Sequence, residues 1–300
     1  MKGLLILPFC FYAIISVAQK SNPEKFAETI TVQDLHRHLA IIAGEEMEGR
    51  ETGTSGQRKA AAYIRNFFEK TGLSFPAALK GYEQFYPLLS DSLLTATLKV
   101  NNAEAVYGKD FITPVSRNST AVFTASEIVF MGYGIDDEKY SDYNGADLKG
   151  KVALFLLGEP KDAEGNYVIS GTKRISAWTF PGLSKKLAIA ASKGAVGAWV
   201  ISPMGKGFSE RTIARSKKEN PYYAGNNRAV ALNFAEISPD FAAQLFSPSF
   251  NELIARGKRG ELFSINDRLT IPANSELSIT KMQDTIWASN VLGVIEGTDK

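Results

Sequence analysis

The sequence predicts an α/β protein in which helices come first and a mixed sheet follows. Apolar residues recur at helical spacing between residues 31 and 72. From residue 94 onward they alternate with polar residues or form short apolar runs typical of strands. The chain has 300 residues, 44% of them hydrophobic, which is enough for about two domains. We therefore expect N-terminal helices, a compact α+β segment and the first strands of a further sheet.

Two helices are predicted at the start. Thr31 with Asp34 gives a capping-box-like beginning to the first helix, and Gly44 ends it. Ser55 is expected to cap the second helix, which Gly72 closes. The apolar positions are Leu35, Leu39 and Ile42 in the first helix and Ala60, Ile64, Phe67 and Phe68 in the second.

Between these helices, residues 45–56 form a polar loop rich in glycine and glutamate. Such a loop loses much conformational entropy when it becomes ordered. The residues alone favour a surface connector, because most loops only join elements.

The compact segment is predicted to continue through residue 274 and beyond. Glycines 132 and 150 bound a turn-rich acidic loop, Gly257 is expected to end a short helix, and a turn is expected near Asp284. Strands are predicted at 94–100, 127–131, 151–157, 195–201, 229–234, 277–281 and 286–295, and helices around 187–191, after Ser238-Pro239 and at 250–256. Residues 290–297 read as an apolar strand that belongs inside a sheet, so we expect residues after Lys300 to complete it.

The N-terminus has the pattern of a secretory signal. Lys2 precedes an apolar run over residues 4–17, and Ser16-Val17-Ala18 forms a small-residue cleavage site. The run is too short for a stable membrane span, so the mature chain is expected to be secreted or periplasmic. The single cysteine, Cys10, lies in this segment, which excludes disulfides and thiolate chemistry from the mature part.

The balance of charge gives no reason to expect a nucleic-acid partner, since the formal net charge is +2. Basic residues are locally in excess between Lys206 and Arg228. We interpret this stretch as a solvated loop, with a contact surface for an acidic substrate or partner as the alternative.

No catalytic, cofactor-binding or metal-ligating residue can be assigned from the motifs. His36 and His38 point to nearly opposite faces of one helix, so we expect them to be solvated and not to share a metal ion. A nucleophile elbow is absent from the sequence, and the Gly132-x-Gly134 pattern is interpreted as a turn. Acidic residues cluster at Asp136, Asp137, Glu138, Asp142 and Asp147. A solvated turn is favoured there, with a weak cation site as the alternative.

Five stretches carry a resemblance. Glu46-Met47-Glu48-Gly49-Arg50, followed by the glycines and alanines through Ile64, resembles the N-terminal signature of the zinc aminopeptidases of clan MH, peptidase family M twenty-eight. Residues 128–134, 147–153 and 186–201 are similar to a protease-associated domain, which several of these peptidases insert before the catalytic sheet. Residues 289–297 are similar to the first part of that sheet.

The resemblance implies a division into a signal peptide (1–18), N-terminal helices of the peptidase domain (19–92), an inserted protease-associated domain (93–274) and the first strands of a three-layer αβα peptidase domain (275–300). It also implies two zinc ions that activate a water molecule, with ligands beginning at a His-x-Asp motif beyond residue 300. On this basis Arg50 is expected to bond to a carboxylate and fix its loop beside the catalytic sheet.

The function implied is that of an exported zinc exopeptidase acting on peptides, of which these residues are the N-terminal part and inactive alone. The alternative is a non-catalytic binding or adaptor protein built around a protease-associated domain. A hydrolase that uses His36 or His38 is a weaker third reading, because no partner motif exists.

Overall fold

The computed structural model describes residues 23–297 except 204, 206, 226–229 and 247–249. The predicted signal peptide, with Cys10, lies outside the described residues. The helices are α1 (Pro23–Ala27), α2 (Val32–Ile42), α3 (Ser55–Lys70), α4 (Leu183–Ser192), α5 (Glu210–Lys217), α6 (Pro239–Phe246) and α7 (Phe250–Arg259). The strands are β1 (Glu83–Val100), β2 (Ala103–Glu104), β3 (Phe111–Ile112), β4 (Ala121–Phe130), β5 (Asp136–Asp137), β6 (Tyr140–Ser141), β7 (Val152–Leu156), β8 (Gly197–Ile201), β9 (Tyr222–Tyr223), β10 (Phe234–Ile237) and β11 (Thr270–Val291).

The described chain divides into two compact units. The smaller unit contains residues 23–82 together with 291–297, and the larger unit contains Glu83–Asn290. The predicted boundaries at 92/93 and 274/275 fall inside β1 and β11. The identification of the larger unit as a protease-associated domain stays a prediction.

The larger unit is built on one mixed sheet of nine strands, so the predicted α/β class is confirmed. Its strands lie in the order β2-β1-β11-β4-β7-β8-β10-β3, and β9 pairs with β1. The central strands β4, β7, β8 and β10 are parallel, whereas β4 pairs antiparallel with β11.

Both faces of the central strands are covered, which explains their continuous apolar sequences. Every residue of β7 and β8 is buried. On one face Leu154 and Trp199 pack in a cluster with Phe250 of α7, and on the other Phe155 packs with Leu187 of α4. The sequence therefore places the core correctly at these strands.

Two predictions about element ends are wrong. The predicted turn near Asp284 is absent, because β11 runs through it as one strand from Thr270 to Val291. Gly257 lies inside α7 and is buried. An added Cβ there would overlap the Cδ1 atom of Leu156, which explains why the position is glycine. The chain turns after α7 at Gly260, whose φ is +78°.

Two further segments also differ. The strand predicted at 229–234 begins only at Phe234, and residues 230–233 lie before it in the structure. The described part of the basic stretch is not a plain loop, because Ser209 caps α5 by accepting a hydrogen bond from the Thr212 amide at 3.2 Å. The ends of that stretch, including Lys206 and Arg228, lie outside the described residues.

The smaller unit contains both predicted N-terminal helices. Thr31 caps α2 through its side chain, which accepts from the Asp34 amide at 3.1 Å. The apolar stripe of α2 is exposed, with Leu35 at 58% and Leu39 at 66%. The cap of α3 is Thr54 and not Ser55.

The buried face of α3 is narrower than predicted. Its buried residues are Gly56, Ala60 and Ala61. Ile64 is half-buried and Phe67 is exposed in the described chain. Residues 292–297 do not lie inside a sheet as predicted, because their pairing among the described residues is an isolated bridge between Ser74 and Val294.

Candidate functional site

The loops after β4 and β7 hold a group of buried ionisable side chains in the larger unit. These two strands are parallel neighbours, so their carboxyl ends meet at one edge of the sheet. In open α/β sheets this edge is where binding sites form. Asp142, Glu159 and Lys186 are all buried in this region.

Asp142 is the carboxylate at the centre of the group. It is 8% exposed and accepts hydrogen bonds from the amides of Tyr133 (3.1 Å) and Ile135 (3.0 Å) and from the Tyr140 hydroxyl (2.6 Å). Burial raises the pKa of Asp142 to about 6, although these bonds and Lys186 favour the ionised form. The bonds hold the turn after β4 against the β5–β6 hairpin.

The Gly132-x-Gly134 pattern is a turn, as predicted, and its glycines have a physical reason. Both have positive φ, +53° and +67°. A Cβ atom on Gly132 would overlap an oxygen of Asp142, and one on Gly134 would lie 2.9 Å from the Phe155 ring. Only glycine lets the backbone approach the carboxylate this closely.

Lys186 is the buried cation of the same region. It is 1% exposed, and its Nζ donates to the carbonyls of Tyr133 (2.7 Å) and Gly158 (2.6 Å). Burial lowers the pKa of Lys186 to about 7, while Asp142 and Glu159 act in the opposite direction. The side chain therefore ties the loop after β4 to the loop after β7.

Glu159 anchors a third segment. It accepts hydrogen bonds from the Ser176 amide (2.6 Å), the Ser176 hydroxyl (2.7 Å) and the Thr179 hydroxyl (2.9 Å). The ionisable groups of this edge are thus bonded to the protein, and their chemical effect is to position loops around a cavity.

That cavity lies beside Asp142 and has a volume of about 480 Å³. It is bounded by the end of β4, the β6 hairpin and residues 262–268. The residues that line it include Phe130, Asp142, Leu262, Phe263, Ile265 and Arg268.

The prediction of a solvated acidic turn is wrong for Asp142 and too simple for its neighbours. Asp136 pairs with Lys193 at 3.2 Å, and Asp147 pairs with Lys151 at 3.2 Å. Asp137 accepts from the buried Trp178 indole at 3.0 Å. The weak cation site kept as an alternative finds no support, because no three metal-ligating side chains gather among the described residues.

The loop at 45–56 is held by its own side chains. Met47 is buried, and Glu48, Gly49 and Arg50 have φ of 51°, 75° and 59°. Lys59 of α3 bonds to the Glu48 carboxylate at 2.5 Å. Ser55 also donates to Glu48, and these bonds lower the pKa of that carboxyl.

The predicted bond from Arg50 to a carboxylate beside the catalytic sheet stays a prediction, and among the described residues Arg50 has a different partner. Its guanidinium donates to the backbone carbonyl of Ile42 and not to a carboxylate. The anchoring ion pair is formed by Glu48 and Lys59, and the sequence pattern does not indicate this pairing. Arg50 instead satisfies a carbonyl in the last turn of α2.

Gly56 packs directly against the backbone of this loop. A Cβ atom there would overlap the Met47 carbonyl oxygen, which belongs to the backbone and cannot rotate away. We expect Gly56→Ala to destabilise the loop by about 1–3 kcal/mol and to raise hydrogen exchange across residues 45–60. Gly81→Ala is the control, because nothing lies within 4 Å of its added Cβ. Equal exchange in both variants would contradict the expectation.

The two histidines are not equivalent, so the prediction that both are solvated is wrong for His38. His38 Nδ1 lies 2.7 Å from the Tyr63 hydroxyl, and the ring packs edge-on against Phe67 at 4.7 Å. His36 is exposed. One histidine is bonded to α3 and the other faces solvent, so these two side chains are not arranged to hold a pair of zinc ions.

No helix among the described residues is long and apolar enough to cross a membrane.

Aminopeptidases are among the solved structures that resemble this chain, at low similarity. The aminopeptidase from Aneurinibacillus sp. strain AM-1 is 16% identical, with a TM-score of 0.41, covering 93% of this chain and 52% of that one. A zinc aminopeptidase from Bacillus subtilis is 14% identical, with a TM-score of 0.36, covering 88% and 47%. This chain therefore spans about half the length of those proteins. No family model and no curated protein sequence matches it.

Proposed function

We propose that this chain is the N-terminal, non-catalytic part of an exported zinc-dependent exopeptidase. In this proposal the larger unit is an inserted domain of the protease-associated type. The smaller unit is the beginning of the peptidase domain, whose substrates are peptides.

One observation carries the proposal: the smaller unit is discontinuous in sequence. The Leu292 amide donates to the Tyr82 carbonyl at 2.8 Å, so the chain returns next to the point where it left. The Val294 amide likewise donates to the Ser74 carbonyl at 2.7 Å. The two ends of the larger unit therefore lie close together, which is the topology of an inserted domain. Insertion is tolerated where the flanking residues stay close.

The resemblance of residues 46–64 and 289–297 supports the identity of the interrupted domain. These two stretches flank the insertion, and the smaller unit contains most of both. The metal chemistry is assigned to ligands that follow residue 300, beginning with the His-x-Asp motif that the resemblance implies. The two zinc ions would supply an activated water there.

The proposal predicts activity only in a longer product. The 300-residue chain should release no p-nitroaniline from leucine p-nitroanilide with added Zn²⁺. The longer polypeptide, which continues in the reading frame past Lys300, should release p-nitroaniline, and a chelator should abolish that release. As a matched control, His36→Ala and His38→Ala should leave the activity of the longer product unchanged. Zinc-dependent hydrolysis by the 300-residue chain itself would contradict the assignment.

A binding module built on the larger unit is the second candidate, and the cavity beside Asp142 favours it. The same experiment separates the two. A binding module has no His-x-Asp after residue 300 and no zinc-dependent release from either product.

A further inference from the structure

The cavity beside Asp142 combines apolar walls with a few polar groups, and the proposed peptidase function does not use it. It belongs entirely to the larger unit and is formed by residues of β4, the β6 hairpin and the segment between α7 and β11. Its volume of about 480 Å³ lies within the range of small-molecule sites. The question is which ligand its walls and polar groups would accept.

The walls are apolar and remain open at the rim. Phe130 and Phe263 pack edge to face at 5.4 Å and form the inner wall. Leu262 and Ile265 are 49% and 61% exposed at the entrance. Large apolar side chains left accessible around a concave surface mark a place where an apolar group can be buried.

The acceptors near the cavity are already used. Both oxygens of Asp142 accept hydrogen bonds from Tyr133, Ile135 and Tyr140. Asp267 accepts from both terminal nitrogens of Arg256 and from Ser264. These carboxylates are therefore poor partners for an additional donor.

Among the residues that line the cavity, the positively charged donor is Arg268. Its Nη2 donates to the Asp142 carbonyl at 2.6 Å, which is the one hydrogen bond of this guanidinium within the described part of the chain. Its neighbour Arg256 differs, because it bonds to Asp267, Glu261 and the Leu262 carbonyl. A guanidinium carries five N–H donors, so most of those on Arg268 are open to a ligand.

We propose that this cavity binds a small apolar carboxylate. The carboxylate pairs with Arg268 in the planar geometry that guanidinium favours, and the apolar group lies between Phe263 and Ile265. A free apolar amino acid and the C-terminal residue of a short peptide share this chemistry. Binding is a property of the larger unit and does not depend on catalysis by a longer product.

Isothermal titration of the 300-residue chain tests the proposal with matched ligands. N-acetyl-leucine should bind, and N-acetyl-leucinamide, which lacks the charge, should bind at least about tenfold more weakly. Comparing leucine with leucyl-leucine distinguishes a free amino acid from the C-terminal residue of a peptide, because the ligand of the preferred class should bind more tightly. Equal binding of the acid and the amide, or no binding of any carboxylate, would overturn the proposal.

Variants place the ligand at Arg268. Arg268→Gln should lower the affinity for N-acetyl-leucine at least about tenfold, and Arg268→Lys should show a smaller loss of affinity. Arg117→Gln is the matched control, because Arg117 is exposed and also makes a single side-chain bond, to Ser184 at 2.9 Å. Unchanged affinity in Arg268→Gln would refute the assignment.

A second variant covers the case in which Arg268→Gln does not fold. Ile265→Glu places a negative charge at the rim on a side chain that is already exposed, so the fold should tolerate it. It should weaken binding of the acid about tenfold more than binding of the amide, because both ligands lose the apolar contact with Ile265 and only the acid is repelled by the new charge. Equal affinities for the acid in wild type and Ile265→Glu would count against a carboxylate in this cavity.

Discussion

Asp142→Ala should lower the free energy of unfolding of the larger unit by about 3–5 kcal/mol. The carboxylate is buried and accepts from the amides of Tyr133 and Ile135 and from the Tyr140 hydroxyl. Alanine leaves the Tyr133 and Ile135 amides without this acceptor and leaves the Tyr140 hydroxyl with the longer bond to the Phe263 carbonyl at 3.4 Å. It also removes the negative charge that favours protonated Lys186. Urea unfolding followed by tryptophan fluorescence measures the loss.

A graded series separates hydrogen bonding from charge. Asp142→Asn keeps one acceptor oxygen and is expected to cost less, about 1–2 kcal/mol. Asp147→Ala is the control, because the Asp147 side chain is 72% exposed and solvent screens its pair with Lys151, so its loss should change stability little. If Asp142→Ala and Asp147→Ala unfold at the same urea concentration, Asp142 does not hold this loop.

The parts of the fold that could be predicted from the sequence are those with local causes. The strands β7 and β8 are apolar runs bounded by glycines, and Thr31 and Ser238 cap helices through their own side chains. Such signals act within a few residues, so no knowledge of the tertiary structure is needed. The class of the sheet follows from them.

The errors arise where tertiary pairing overrides a local signal. Asp284 has the character of a turn residue, yet long pairing carries β11 through it. Gly257 has the character of a helix end, yet close packing on Leu156 uses its missing side chain. In both cases a partner distant in sequence decides the conformation.

The ionisable residues beside the cavity were missed for a related reason. Asp142 lies in an acidic turn, and its burial depends on how the loops after β4 and β7 meet. Lys186 did carry a detectable signal. It lies on the buried stripe of α4 with Leu183, Leu187 and Ala190, where a solvated lysine would not be expected.

Lys186 should make the stability of the larger unit depend on pH above neutrality. Its pKa in the folded chain is about 7, below the ordinary value of 10.5, because burial disfavours the ammonium. Between these two values the unfolded chain binds the extra proton, so the free energy of unfolding rises with pH. Below about pH 7 Lys186 is protonated in both states, so its effect on stability no longer changes with pH. The rise should approach about 1.4 kcal/mol per pH unit at most.

Replacing Lys186 with methionine removes this titration, since methionine keeps the length of the side chain without the charge. Urea unfolding at pH 7, 8 and 9 should therefore show a smaller rise in Lys186→Met than in wild type. The neighbouring Lys185 is exposed on the same helix and stacks over Trp178 at 3.7 Å, so Lys185→Met should retain the wild-type rise. Parallel profiles for wild type and Lys186→Met would mean that Lys186 stays protonated in the fold. Its bonds to the Tyr133 and Gly158 carbonyls would then outweigh the cost of its burial.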